Sequence, residues 1–221
     1  VKMTLTIPTM LTLARILMIP VLVAVFYLPG KWTSVTAMLV FALASVTDWL
    51  DGWIARRWHQ YSAFGAFLDP VADKLMVSTA LFLIVQSHNT PWMACWAAVI
   101  VGREIAVSAL REWMAELGQR ARVKVQALGK IKTIVQMVAI GCLLYSPSKQ
   151  PEPWLWMGRE VFFIGDWLLA VAAILTLWSG FEYLRAAWPV LRADEGKAVT
   201  LPTQGVDSLP TASRMHGSTR E

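Results

Sequence analysis

From Asp48 to Lys74 the chain reads DWLDGWIARRWHQYSAFGAFLDPVADK. Asp48 and Asp51 are three residues apart, and Asp69 and Asp73 are four apart. On helices each pair therefore lies on one face. Trp32 to Thr47, just before the first pair, contains no charged residue, and neither does the run from Leu75 to Gln86. The first pair thus closes one apolar helix and the second opens the next. A short connection folds them together, so four carboxylates converge at one depth.

Working outward, the whole chain has the character of this stretch. Of its 221 residues, 56% are hydrophobic and 16% are charged, with 12 tryptophans. A soluble domain has about a quarter of its residues charged. So much apolar side chain cannot be hidden inside one water-facing globule of this length, which points to a membrane protein. The only cysteines, Cys95 and Cys142, lie in apolar segments, so a disulfide scaffold is excluded. The net charge of +5 suits anionic lipid or phosphate. Lys2 precedes an apolar stretch without a small-x-small cleavage site, so the first segment is expected to be a retained helix.

Six apolar segments can be marked, roughly 7–28, 33–58, 63–86, 91–117, 128–145 and 161–188. Each is about long enough to cross ~30 Å of hydrocarbon as a helix. Pro29-Gly30, the run from Ser87 to Pro91, and the run from Ser146 to Pro153 separate them. The expected fold is an all-α integral membrane protein with six transmembrane helices, occupying residues 1–191. Residues 192–221, rich in Gly, Ser, Thr, Pro and charge, are expected to be a disordered cytoplasmic tail. Arg56, Arg57, Arg120, Arg122 and Lys124 follow segments two and four, which by the positive-inside rule puts both chain ends in the cytoplasm.

The ionisable residues inside segments two to five gather toward the cytoplasmic ends. Segment four carries Arg103, Glu104, Arg111 and Glu112 in its second half, and segment five begins near Lys130 and Lys132. Charge at membrane depth normally faces a bundle interior or a watery cavity. The sequence therefore describes a polar cavity open to the cytoplasm.

One aspartate pair alone reads as solvated residues, or as partners of Arg56, Arg57 or Lys74. Two pairs facing each other repel strongly in a low dielectric. Divalent cations are the natural remedy, and all-oxygen ligation by Asp48, Asp51, Asp69 and Asp73 favours a hard ion such as Mg²⁺ or Mn²⁺. Two such ions would suit phosphoryl chemistry. Beside the acids, Gly52 and Ala55 let a ligand approach the helix backbone. Arg56 is a fork-shaped donor for a phosphate oxygen, and Ser62 and Gly65 could contact the same ligand. Arg103 and Arg111 lie roughly on one helical face. With Lys130 and Lys132 they read as a pocket for an anionic acceptor, or as topology markers and partners of Glu104, Glu112 and Glu116.

Asp48-x-x-Asp51-Gly52-x-x-Ala55-Arg56, then eight residues, then Gly65-x-x-x-Asp69-x-x-x-Asp73, resembles the signature of the CDP-alcohol phosphatidyltransferases at every fixed position. Gly102-Arg103-Glu104, the run from Ser108 to Trp113, and Gly129-Lys130-x-Lys132-Thr133 are similar to the branch of that family found in bacteria that uses glycerol 3-phosphate. The likeness runs from about Ile7 to Trp188. At the amino-terminal end, Thr9 stands in Pro8-Thr9-Met10-Leu11-Thr12-Leu13-Ala14-Arg15 where the family often has Asn.

The resemblance implies a homodimeric enzyme of the bacterial cytoplasmic membrane. Its partners would be CDP-diacylglycerol, glycerol 3-phosphate and membrane lipid, with no nucleic acid. It implies a metal pair on Asp48, Asp51, Asp69 and Asp73, with Asp73 also the general base. CDP-diacylglycerol would meet Gly52, Ala55, Arg56, Ser62, Gly65, Thr9 and Thr12. Arg103, Arg111, Lys130 and Lys132 would hold the acceptor phosphate. No Ser, Cys or His sits beside the acids in a triad-like setting, which favours direct displacement. A divalent-cation transporter would also gather carboxylates, but would not need Gly52, Ala55 and Arg56 beside them. A prenyltransferase, which holds a metal-bound diphosphate on aspartates, is the other competitor.

Overall fold

A computed structural model describes residues 6–58, 62–116, 127–146 and 157–198. They form six helices: α1 (Ile7–Tyr27), α2 (Thr33–Trp58), α3 (Ala63–His88), α4 (Pro91–Glu116), α5 (Ala127–Tyr145) and α6 (Gly158–Ala198). The chain divides into two compact units, Val1–Ala187 and Trp188–Glu221. The described part of the second, residues 188–198, is helical. Regular structure thus runs into the stretch expected to be a tail, and residues 199–221 lie outside the described residues.

Four helices are long and apolar enough to cross a membrane: α1, α2, α4, and α6 from Gly158 to Pro189. α5 is apolar over a shorter run, Ile131–Tyr145. α3 carries Asp69, Asp73 and Lys74 within its helix. Charged side chains at one end of α3 and of α5 shorten their apolar runs. This is a multi-pass, all-helical integral membrane protein.

Local chemistry sets the ends. A proline opens α1 at a position whose N–H has no helical partner to lose. Ser62 caps α3, its side-chain oxygen accepting from Gly65 N–H at 2.9 Å. Asn89 ends α3 in the left-handed region at φ 45°, its N–H donating to Val85 O.

α1 packs on α2 and α3, α2 on α5, and α3 on α4 and α5. Leu22, Phe41, Leu81, Ile84, Met93, Ile100, Ile140, Leu143 and Phe162 are fully or almost fully buried at the centre. Where α6 meets α5, a Cβ on Gly165 would stand 2.8 Å from Leu143 Cγ, so only glycine permits this approach. Large apolar side chains such as Leu17, Phe82, Trp167 and Phe181 point outward, as lipid-facing residues do.

Candidate active site

α1 presents a polar stripe in an otherwise apolar helix. Thr9, Thr12 and Arg15 are three residues apart and buried, so they lie along one side. Each meets the start of α3. Thr9 Oγ1 and Ser62 Oγ share a hydrogen bond of 2.9 Å. The Thr12 hydroxyl reaches Asp69 Oδ1, with Pro8 O as its other acceptor. Arg15 Nη1 donates to Asp73 Oδ1 at 2.5 Å. Both series of partners ascend in number, so α1 and α3 run the same way. A Cβ on Gly65 would stand 2.8 Å from Thr9 Oγ1, so glycine there is what lets the helices close to this distance.

Arg15 is the hub. Its side chain is 1% exposed. Nη1 also lies 2.8 Å from Asp48 Oδ1, and Nη2 pairs with Asp51 Oδ2. One guanidinium therefore gathers three carboxylates from two helices, and Thr12 holds the fourth. Asp51 is 4% exposed, whereas Asp48 and Asp73 are 39% and 43% exposed. Arg15 is a residue that sequence reasoning did not single out. The signal was there: it is the one charge in α1, and an ion at that depth wants a partner. Nor do the acids pair with Arg56, Arg57 or Lys74 among the described residues. Lys74 Nζ donates to Ser108 Oγ instead.

Among the described residues no three His, Cys, Asp or Glu side chains stand ready as a metal-ligand group. The donor chemistry nonetheless fits hard cations. One arginine offsets one of four negative charges, and each contacted acid gives it only one oxygen.

Gly52 lies one turn before Arg56, whose guanidinium folds back over it; a Cβ there would be 3.4 Å from Arg56 Nη1. Arg56 is exposed, Ala55 half-buried and Ser62 half-buried. Thr9 and Thr12, expected beside the nucleotide, are buried with their hydroxyls engaged by Ser62 and Asp69.

Beside the acids opens a cavity of about 580 Å³. Asp48 and Asp73 line it together with Lys74, Arg103, Arg111, Lys132 and Gln136. Arg103 Nη2 donates to Ser179 Oγ at 2.5 Å and Arg111 Nη2 to Tyr183 Oη at 2.8 Å. Both guanidiniums lie over the Tyr183 ring, 5.6 and 4.9 Å from its centre. Neither has a carboxylate partner among the described residues. Lys132 does: it is buried and donates to Glu104 Oε1 at 3.1 Å. Lys130 lies in α5, but its side chain is outside the described residues, as are His59 and the connection holding Arg120, Arg122 and Lys124. Ser179 and Tyr183 were not anticipated; nothing in α6 marked them apart from an apolar helix.

A helical membrane protein that opposes an aspartate cluster to a basic pocket has the layout of an enzyme acting on phosphate esters at a membrane. The chain belongs to the CDP-alcohol phosphatidyltransferase family, whose model matches residues 5–178. It is 51% identical over 181 residues to the CDP-diacylglycerol–glycerol-3-phosphate 3-phosphatidyltransferases of Shigella flexneri serotype 5b (strain 8401) and Escherichia coli (strain K12). Identity to the enzyme of the same name from Salmonella choleraesuis (strain SC-B67) is 50%. In each case the match covers 82% of this chain and 94% of the relative.

Proposed function

We propose that this protein transfers the phosphatidyl group of CDP-diacylglycerol to sn-glycerol 3-phosphate, giving phosphatidylglycerophosphate and CMP. The observation that carries the acceptor half is the pair Arg103 and Arg111. Two guanidiniums without carboxylate partners among the described residues face the cavity that also holds Asp48 and Asp73. Charge at membrane depth wants an ion, and arginine can take a phosphate on two parallel N–H groups. The names and close similarity of the relatives support the same substrates.

Asp48, Asp51, Asp69 and Asp73 would hold a pair of divalent cations, Mg²⁺ or Mn²⁺. When bound, these would neutralise charge developing on the diphosphate. Arg56, over Gly52, would meet the diphosphate of the lipid nucleotide, with Ala55 and Gly65 giving clearance and Ser62 a hydroxyl. Thr9 and Thr12 would act through Ser62 and Asp69. Arg103, Arg111 and Lys132 would orient glycerol 3-phosphate, joined by Lys130 at the same end of α5.

Asp73 would take the proton from the acceptor's primary hydroxyl. The oxygen would then attack the phosphorus bonded to diacylglycerol. That phosphorus–oxygen bond forms as the bond to CMP breaks, and CMP leaves with the electron pair. The acyl chains remain in lipid. Lysine and arginine at the ends of α2 and after α4 support a cytoplasmic site with both chain ends on that side, and the family resemblance supports a homodimer.

The test uses purified protein in detergent with labelled CDP-diacylglycerol and Mg²⁺. CMP release that depends on added glycerol 3-phosphate is expected. Release with an uncharged alcohol at the same rate, or no release with any acceptor, overturns the reading.

A further inference from the structure

Two residues that line the cavity carry a buried polar atom with no hydrogen-bond partner among the described residues: the donor Arg103 Nε and the acceptor Gln136 Oε1. Gln136 follows Lys132 by four residues on α5, so both lie on one face. It is 2% exposed, yet it lines the cavity. Its amide oxygen Oε1 is buried and has no hydrogen-bond partner among the described residues. A buried carbonyl oxygen left without a donor is costly, and native structures rarely keep one without cause. Around it Lys74 bonds Ser108, Arg103 bonds Ser179 through Nη2, Arg111 bonds Tyr183, and Lys132 bonds Glu104, so among these acceptors Gln136 Oε1 is the one left without a donor.

An amide oxygen accepts and cannot donate. It therefore does not serve a phosphate dianion, which offers only acceptors. A cationic group is also unsuitable, because Lys74, Arg103, Arg111 and Lys132 surround the same space. What remains is a hydroxyl. In a polyol phosphate bound as proposed above, the phosphate meets Arg103 and Arg111 and the attacking primary hydroxyl meets Asp73. Only the secondary hydroxyl between them is left without a partner.

We propose that Gln136 is a specificity-determining residue, whose amide oxygen accepts a hydrogen bond from the secondary hydroxyl of the polyol phosphate acceptor. This rests on the reading of the cavity as the acceptor site. Its consequence is selection for a three-carbon polyol phosphate over a simple hydroxyalkyl phosphate of the same length.

The experiment compares sn-glycerol 3-phosphate with 3-hydroxypropyl phosphate, which lacks only the secondary hydroxyl. The wild-type protein should prefer glycerol 3-phosphate in kcat/KM by at least about tenfold, as sites built to bond a hydroxyl do. Gln136→Met, similar in length but without the oxygen, should bring the two acceptors within about twofold. The KM for CDP-diacylglycerol should not change. Gln136→Glu keeps an accepting oxygen and should keep a preference, which covers the case that the methionine variant does not fold. Equal use of both acceptors by the wild type overturns the proposal and spares the acceptor reading, as does an undiminished preference in Gln136→Met. Failure of the wild type to use either phosphorylated acceptor overturns both.

Discussion

Replacing Arg15 by methionine should destabilise the protein by removing the only cation that the buried Asp51 contacts among the described residues. The three acids on this guanidinium are not equivalent. Asp48 and Asp73 are 39% and 43% exposed, so water screens them and each contributes no more than about 1 kcal/mol. Asp51 is 4% exposed and pairs with Nη2. Two unit charges about 4 Å apart attract by about 4 kcal/mol at an effective dielectric of ~20. Stranding one member of a buried pair costs about 3–5 kcal/mol. Asp51 should therefore dominate, and Arg15→Met should lose about 3–5 kcal/mol. At about 2–4 °C per kcal/mol, that is a drop of roughly 6–20 °C in unfolding temperature. The assay is thermal unfolding of purified protein in detergent with chelator present. Adding Asp51→Asn to Arg15→Met removes the stranded charge and should recover most of the loss. If Arg15→Met unfolds at the wild-type temperature, or the second substitution restores nothing, this ion pair does not hold α1 to α2.

Asp73→Asn should lower turnover by about 10²–10⁴-fold, the usual worth of a general base, while CDP-diacylglycerol still binds in a direct assay. Turnover near the wild-type rate would remove Asp73 from that role. Chelation should abolish activity and restored Mg²⁺ or Mn²⁺ should return it; full activity after exhaustive chelation would refute the four-carboxylate metal site. Arg103→Ala or Arg111→Ala should raise the KM for glycerol 3-phosphate by roughly 10–100-fold, as expected for a lost charged hydrogen bond. The KM for CDP-diacylglycerol should move little, and normal acceptor kinetics in both variants would exclude the phosphate pocket.

The carboxylate pairs were legible because they obey a local rule. Asp48 with Asp51, and Asp69 with Asp73, share helical faces whatever the rest of the chain does. The six helices were legible for a similar reason, since apolar runs broken by Pro, Gly and Asn report on themselves. Arg15 was harder, because its partners lie on α2 and α3 and only the packing of three helices reveals them. Ser179 and Tyr183 were not legible at all: a serine and a tyrosine in an apolar helix carry no periodic signal, and Arg103 and Arg111 reach them across more than 70 residues of chain. Lys132 and Glu104 show a different difficulty. Both were visible as charges, but the sequence could not decide between a ligand and a neighbouring acid as the lysine's partner. Gln136 stood out to no rule, because an amide in an apolar helix is conspicuous only once its oxygen is found without a donor.

The placement of Arg15 also bears on how the chain is made. Arg15 lies about 12 Å along α1 from its first residue, close to the middle of a span. A lone arginine at that depth raises the insertion free energy by about 2.5–3.5 kcal/mol. Its partners are synthesised later, Asp48 and Asp51 on the second helix and Asp73 on the third. Until α2 follows, that charge has no counter-ion from the chain, and α2 supplies the first. Only when α3 enters do Thr9, Thr12 and Arg15 all find their places. The contacts that assemble the carboxylate cluster are thus the same ones that join the first three helices.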